Sequence, residues 1–318
     1  MNIAVLDGYT LNPGDNPWTE LETLGQVTVY DRTPASQIIE RAREAEIILT
    51  NKTPLNAETL GHLPALRFIA VTATGYNVVD VAAAAERAIP VANIPVYGTR
   101  TVAQHTFALI LELCNHVGLH AQSVRDGEWT ASIEWCYWKA PVLELDGRIL
   151  GVVGAGRIGQ AVGAIGRAFG MNVWTTPSRS LPSASEPGWS VKSLEEIFRA
   201  TDVISLHCPQ TLSNTGFVNR TLLATMKPTA LLINTARGGL IVEQDLADAL
   251  HAGLLAGAAV DVVSAEPIPA DNPLLSAPHC LITPHIAWSS LSARQRLMTA
   301  TVENVRGFLE GKTPNRVN

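Results

Sequence analysis

Short apolar runs and stretches of helical period alternate along nearly the whole chain. In the first hundred residues IAVLD (3–7), VTVYD (27–31), EIILTN (46–51), FIAVTA (68–73) and PVAN (90–93) predict strands. Between them ASQIIERAREA, NAETLGHL and VVDVAAAAERA have the composition and period of helices. Strand followed by helix, repeated, implies parallel pairing through right-handed crossovers, so this part predicts a small α/β domain. Residues 101–129 then predict one long helix, too apolar to lie alone on a surface. Alternation resumes with strands expected at 147–154, 172–176, 202–207, 230–236, 256–263 and 279–285, and with helices at 157–169 and 243–252. SARQRLMTATVENVRGFLEG predicts a final amphipathic helix. No repeat of solenoid period is present, although two successive α/β units make a loose two-fold plan.

The second unit carries a glycine-rich turn directly after its first strand: Gly154, Ala155, Gly156, Arg157, Ile158 and Gly159. Following a strand and opening a helix, this spacing predicts the doubly wound parallel sheet that binds dinucleotides. Gly154 permits a tight turn, Gly156 admits a pyrophosphate close to the backbone, and Gly159 lets helix and strand approach. The helix start contributes free N–H groups and partial positive charge. Gly163, Gly166 and Gly170 read as packing positions and a helix stop.

Composition narrows the class. Hydrophobic residues make up 47% and charged residues 16% of 318, which excludes a disordered chain. A net charge of −6 disfavours a nucleic-acid backbone or an anionic membrane as partner. Cys114, Cys136, Cys208 and Cys280 lack disulfide or zinc-type spacing and read as buried free thiols of a reducing compartment. The start MNIAVLDGYTL lacks the basic region of a signal peptide, and no apolar run reaches the length of a membrane span. A soluble, cytoplasmic protein is expected. His116 and His120 stand four apart on the predicted long helix, without a local third ligand. A polar helix face is the simpler reading, and no metal site is expected.

Three ionisable residues follow late strands, where open parallel sheets place their ligands. Arg237 lies in INTARGG, Glu266 in DVVSAEP and His285 in ITPHIAW. Surface charge on loops is the plain alternative for any one of them. Together they suit the interconversion of a 2-oxo and a 2-hydroxy acid. An Arg fork can hold a carboxylate, a His can exchange a proton near neutrality, and a Glu can fix that ring's tautomer. Pro284 restricts Thr283 to extended geometry and so helps to aim His285.

With GAGRIG, DVISLHCPQT, INTARGGLI, DVVSAEP and TPHIAW in this order, the chain resembles the D-isomer-specific 2-hydroxyacid dehydrogenase family over nearly its whole length. The resemblance implies a Rossmann dinucleotide-binding domain over 101–287. It also implies a discontinuous flavodoxin-like substrate domain from 1–100 and 288–318. It makes Arg237, Glu266 and His285 the catalytic trio of an interdomain cleft, closed against water during turnover, and it implies a homodimer. Thr74 and Gly75 in TATGYNVVD match a loop whose backbone N–H groups hold the substrate carboxylate. Thr235, Ala236 and Asp261 match positions lining the nicotinamide, and Cys208, Pro209 and Thr215 match the adenosine side. His207 reads as a strand-end residue rather than a catalyst. Gln104 stands where the family often has Glu, a change expected to alter local hydrogen bonding more than chemistry.

LDGYTLNPGD, TNKTPL, HIAW and EWCYWKAPVLEL resemble the glycerate dehydrogenase (hydroxypyruvate reductase) branch, which implies hydroxypyruvate or glyoxylate as substrate. A larger 2-oxo acid is the near alternative, and a dinucleotide-sensing corepressor-like module the distant one. Trp288 can wall the pocket or pack at a hinge, and Lys52 can approach an anionic substrate. Trp135, Tyr137 and Trp138 suit a core or a dimer interface more than a substrate lid. The expected mechanism is reversible hydride transfer at C2, with His285 protonating the oxygen. In NVWTTPSRS the second strand ends without the usual acid; Pro177 stands in its place, about 20 residues past the glycine turn. Ser178, Arg179 and Ser180 can instead bind a 2′-phosphate, so NADP(H) is expected over NAD(H). A solvated polar loop is the alternative there.

Overall fold

The computed structural model describes residues 1–177 and 189–318, which form two compact units. Met1–Gly98 with Ser289–Asn318 make the first, and Thr99–Trp288 the second.

The first unit is built on β1 (Asn2–Val5), β2 (Gln26–Val29), β3 (Ile47–Thr50), β4 (Phe68–Val71) and β5 (Val91–Ala92). All pairs are parallel, in the order β2-β1-β3-β4-β5. This is the flavodoxin-like order, with its switch point between β1 and β3. β3 and β4 are buried at every residue, which is why each reads as an unbroken apolar run. The helices α1 (Thr19–Glu22), α2 (Ile38–Ala42), α3 (Ala57–Gly61) and α4 (Val81–Glu86) are short. Asn56 and Asp80 cap α3 and α4 by accepting the N–H of Thr59 and Ala83, each cap contributing ~1 kcal/mol. The NPGD motif proves structural: Asn12 accepts the N–H of Gly14 and Asn16, and Asp15 takes both terminal nitrogens of Arg294 at 2.5 and 2.7 Å.

The second unit begins with α5 (Thr99–Asn115) and α6 (Val117–Arg125). It continues through β6 (Ile149–Val153), α7 (Arg157–Ala168), β7 (Asn172–Thr175), β8 (Trp189–Val191), α8 (Leu194–Ala200) and β9 (Val203–Leu206). It ends with α9 (Arg220–Leu223), β10 (Leu231–Asn234), α10 (Glu243–His251), β11 (Gly257–Val260) and β12 (Cys280–Ile282). The sheet order is β12-β11-β10-β9-β6-β7-β8, all parallel, which is the Rossmann arrangement extended by one strand. The C-terminal helix α11 (Leu291–Leu309), capped by Ser290, belongs to the first unit, where Phe308 stacks on Phe68 with ring centroids 4.6 Å apart.

Two expected elements need correction. The single helix over 101–129 breaks at His116, whose φ of 49° is left-handed, and the Glu112 carboxylate takes the freed N–H of Gly118. His116 and His120 therefore do not share one continuous helix face. His120 directs Nδ1 at the His116 carbonyl at 2.8 Å, and its Nε2 accepts the Lys139 N–H at 3.0 Å, so both ring nitrogens are engaged. The second sheet has seven strands instead of six. β8 is only three residues long and is anchored by Trp189, whose ring lies where a Cβ on Gly163 would fall.

The aromatic cluster after α6 is not core, since Trp135 and Trp138 are 83% and 72% exposed. The cysteines are free, but only Cys114 is fully buried; the other three are half-buried. Burial pushes the thiols of Cys114 and Cys280 up to about 11. Among the described residues, no helix is long and apolar enough to cross a membrane.

Candidate active site

The glycine turn sits at the switch point of the second sheet, between β6 and β9. Gly154 has φ +102°, and a Cβ there would stand 2.6 Å from the Cys208 backbone nitrogen, so neither the conformation nor the space admits another residue. A Cβ on Gly159 would collide with the Gly154 carbonyl, and one on Gly166 would meet Leu150 at 2.6 Å. These glycines bring α7 down onto β6. Gly156 differs, because a Cβ there would meet nothing within 4 Å. It is the N-cap of α7, and among the described residues no side chain caps the first N–H groups of the helix. That arrangement fits a pyrophosphate. Gly170, with φ +77°, ends the helix, and the N–H of Met171 returns to the Gly166 carbonyl.

Around this turn, Thr176 Oγ1 receives the Gly154 N–H at 3.3 Å, which brings the end of β7 beside it. Pro177 is exposed; Ser178, Arg179 and Ser180 lie outside the described residues. Arg157 and Ile158 open α7. Cys208 is half-buried and Pro209 exposed after β9, and exposed Thr215 donates its hydroxyl to the Thr211 carbonyl. Burial pushes the His207 imidazole down to about 3, so it is neutral, with Nε2 2.8 Å from Ser205 Oγ. Near neutrality it lacks the second proton that an imidazolium would give.

The late loops converge on one pair. His285 Nδ1 lies 2.7 Å from Glu266 Oε2, with both side chains about one-third exposed (30% and 31%). The strands end earlier than the sequence predicts, at Asn234, Val260 and Ile282, so all three ionisable residues stand on loops. Asn234 shapes the first loop by accepting the Ala236 N–H and donating to the Arg237 carbonyl. Arg237 is exposed, and among the described residues no carboxylate lies within 4.0 Å of it. A Cβ on Gly238 would fall on the Val263 backbone, so this glycine lets the Arg237 loop pack against the Glu266 loop. Thr235 is buried and its hydroxyl pairs with that of Thr106 on α5 at 3.0 Å.

Two carboxylates that take no part in this pair hold its loops. Asp261, 1% exposed, accepts the Thr283 hydroxyl at 2.6 Å, the Ile286 N–H at 2.9 Å and the Ala287 N–H at 2.8 Å. Burial pushes its carboxyl up, but hydrogen bonds from His105, Thr283, Ala287 and Ile286 outweigh that and leave it below the ordinary carboxylate value. A carboxylate offers about four lone-pair sites, so Oδ2, with the one Ala287 donor, retains capacity for another. Glu243, at the start of α10, accepts the Ser264 N–H at 2.5 Å, the Ser264 hydroxyl at 2.9 Å and the Asn272 amide at 2.8 Å. Ser264 is two residues from Glu266. Sequence reading missed Glu243 and Asn272 as anchors. The only available signal was an acidic residue at a helix start, which usually means no more than a dipole partner.

The first unit has fixed loops at its own strand ends. Asp7, after β1, accepts three successive N–H groups after β3, those of Asn51, Lys52 and Thr53, at 2.8, 2.6 and 2.7 Å. This clamp fixes the Lys52 backbone and leaves its side chain exposed. The loop after β4 is fixed by Thr74, whose hydroxyl donates to the Ile94 carbonyl and whose carbonyl accepts from Asn93. Among the described residues, no protein acceptor takes the N–H of Thr74 or Gly75. Trp288, half-buried, is the last residue of the second unit, and Gln104 is exposed on α5.

Residues 107–287 match the family model described as D-isomer specific 2-hydroxyacid dehydrogenase, NAD binding domain. A hydroxypyruvate reductase of Blautia hydrogenotrophica is 49% identical over 321 residues, covering 100% of each chain. A glycerate dehydrogenase of Methylorubrum extorquens is 41% identical over 283 residues, covering 88% of each. Among solved structures, an acyclic imino acid reductase in complex with NADPH and D-Arg superposes with a TM-score of 0.85 at 27% identity, covering 100% of each chain.

Proposed function

The chain belongs to the D-isomer specific 2-hydroxyacid dehydrogenase family, and from that premise we propose that it is an NADPH-preferring hydroxypyruvate reductase. Glyoxylate is the second small substrate. The observation that carries the reading is the 2.7 Å contact between His285 Nδ1 and Glu266 Oε2. Bound to carboxylate, Nδ1 carries its proton, which leaves Nε2 to exchange a proton with substrate. The Glu266 carboxylate also holds the ring in one orientation.

When bound, the reduced nicotinamide supplies a hydride, with its electron pair, to C2 of the 2-oxo acid. His285 gives its Nε2 proton to the carbonyl oxygen, which completes a D-2-hydroxy acid. Arg237, with no carboxylate partner among the described residues, holds the substrate carboxylate and polarises the oxo group. The N–H groups of Thr74 and Gly75 bind the same carboxylate, and Lys52 adds positive charge. Trp288 walls the C3 side. Gly154, Gly156, Arg157, Ile158 and Gly159 hold the pyrophosphate; Cys208, Pro209 and Thr215 line the adenosine side. Thr235 and Ala236 would line the nicotinamide, and the remaining capacity of Asp261 would accept its carboxamide N–H. Arg179, with Ser178 and Ser180, binds the 2′-phosphate, in keeping with Pro177 standing where an acid would repel it.

The protein works as a cytoplasmic homodimer in this reading. Ile133, Trp135, Trp138 and Val142, 101%, 83%, 72% and 57% exposed, form an apolar segment that suits a second copy. The test is kcat/KM for NADPH and NADH with hydroxypyruvate, glyoxylate and a branched-chain 2-oxo acid, alongside light scattering for mass. We expect turnover of hydroxypyruvate first, glyoxylate second, and NADPH ahead of NADH. Preference for the branched acid would overturn the substrate, and preference for NADH would overturn the cofactor.

A further inference from the structure

Asp261 has a feature that the proposed chemistry does not use. It is a buried carboxylate with no Lys or Arg within 4.0 Å among the described residues. The one side chain there able to carry positive charge is His105, on α5, with Nε2 3.5 Å from Asp261 Oδ1. The same Nε2 stands 3.1 Å from Thr283 Oγ1, and the Thr283 hydroxyl donates a hydrogen bond to Asp261 Oδ1 at 2.6 Å. Because Thr283 donates to the carboxylate, its oxygen is left to accept, so His105 is the donor and carries its proton on Nε2.

The segment this chain holds is the one bearing His285. Thr283 opens it, Ile286 and Ala287 give their N–H groups to Asp261, and His285 itself sits at φ +55°, a left-handed conformation uncommon for residues with a Cβ. We propose that His105 is a positioning residue for the proton-transfer pair. It donates to Thr283, steadies the buried charge of Asp261, and so fixes the backbone from which His285 reaches Glu266. It touches neither substrate nor reacting atoms. The proposal rests on the reading of His285 as proton donor, but its structural part is measurable without turnover.

The experiment follows two quantities in His105→Leu, His105→Gln, Thr283→Val and Thr283→Ser. One is amide hydrogen exchange across residues 283–290, and the other is steady-state reduction of hydroxypyruvate. Gln places an N–H donor at nearly the reach of Nε2, and Ser keeps the hydroxyl of Thr283. In His105→Leu and Thr283→Val, exchange at Ile286 and Ala287 should speed up about tenfold, and kcat should fall by a similar factor, with KM for the dinucleotide within about twofold. His105→Gln and Thr283→Ser should restore both. Unchanged exchange in His105→Leu overturns the inference, as does a His105→Gln variant as loose as His105→Leu. If His105→Leu fails to fold, the Thr283 pair decides by the same criteria. Wild-type protein that reduces no 2-oxo acid would instead overturn the proposed function, while the exchange data still decide the role of His105.

Discussion

One aspartate ties each end of the seven-stranded sheet, and the two ties differ in kind. At the amino ends, Asp202 accepts the first N–H of β6, from Ile149, at 2.8 Å and pairs with Lys227 at 2.8 Å and Arg148 at 3.9 Å. At the carboxyl ends, Asp261 has hydroxyl and backbone donors and one histidine. Full cations neutralise the first carboxylate, at the cost of long side chains held around it. The second is neutralised by fixed dipoles that also shape a loop, so its environment keeps room for a ligand. A stabilising ion pair stands at one end of the sheet and the proposed chemistry at the other, as expected where ligands bind outside the carboxyl ends.

The most direct way to break this comparison is at the carboxyl end. His285→Gln removes the proposed proton donor but preserves volume and polarity at a half-buried loop position. Turnover should fall by about 10²–10⁴-fold with dinucleotide affinity and melting temperature nearly unchanged. Steady-state kinetics beside calorimetry checks this, and surviving turnover would remove His285 from its role. Next comes Arg179→Ala. A charge-assisted contact to phosphate is worth roughly 1.5–3 kcal/mol, so KM for NADPH should rise about 10–100-fold, with KM for NADH little moved. An equal rise for both cofactors would sink the 2′-phosphate assignment.

Gly154→Ala sharpens the comparison differently, because here function and stability share a residue. The substitution places a Cβ in a φ +102° conformation and against Cys208, so stability should drop by about 1–3 kcal/mol and dinucleotide binding should weaken with it. Denaturant titration and fluorescence binding would report the two losses, and a variant that lost neither would show that the turn does not need its glycine.

The contrast also explains what could be read from sequence. The two α/β units were legible because their strands, such as β3 and β4, are buried on every residue and punctuated by glycine, proline and capping residues. The turn at Gly154 was legible because its demands are local. Anchors were not. Glu243 meets Ser264 across 21 positions and His105 meets Thr283 across 178, and neither separation leaves a periodic or compositional trace. The break at His116 was hidden because a histidine, not a glycine, takes the left-handed conformation. β8 was hidden because three residues carry too little pattern, and its hold on α7 depends on a tryptophan filling the space a glycine leaves.

The smallest expected effect tests the amino end. Burial pushes the Asp202 carboxyl up, but the Lys227 hydrogen bond, the Ile149 N–H and the charges of Lys227 and Arg148 outweigh it, and the group stays below the ordinary carboxylate value. A depressed value in the folded protein means that the unfolded chain takes up the proton first as pH falls. The contribution is therefore complete above about pH 4 and is lost as pH drops through the lower folded value. Asp202→Asn keeps an acceptor for Ile149 but not the charge. It should cost on the order of 1 kcal/mol at pH 7, leave kcat unchanged, and show a deficit that is constant from pH 7 to 5 and closes below about pH 4. Melting temperatures across that range check the sign. A deficit undiminished at pH 3 would mean that geometry, not charge, ties this end of the sheet, and the difference between its two aspartates would shrink accordingly.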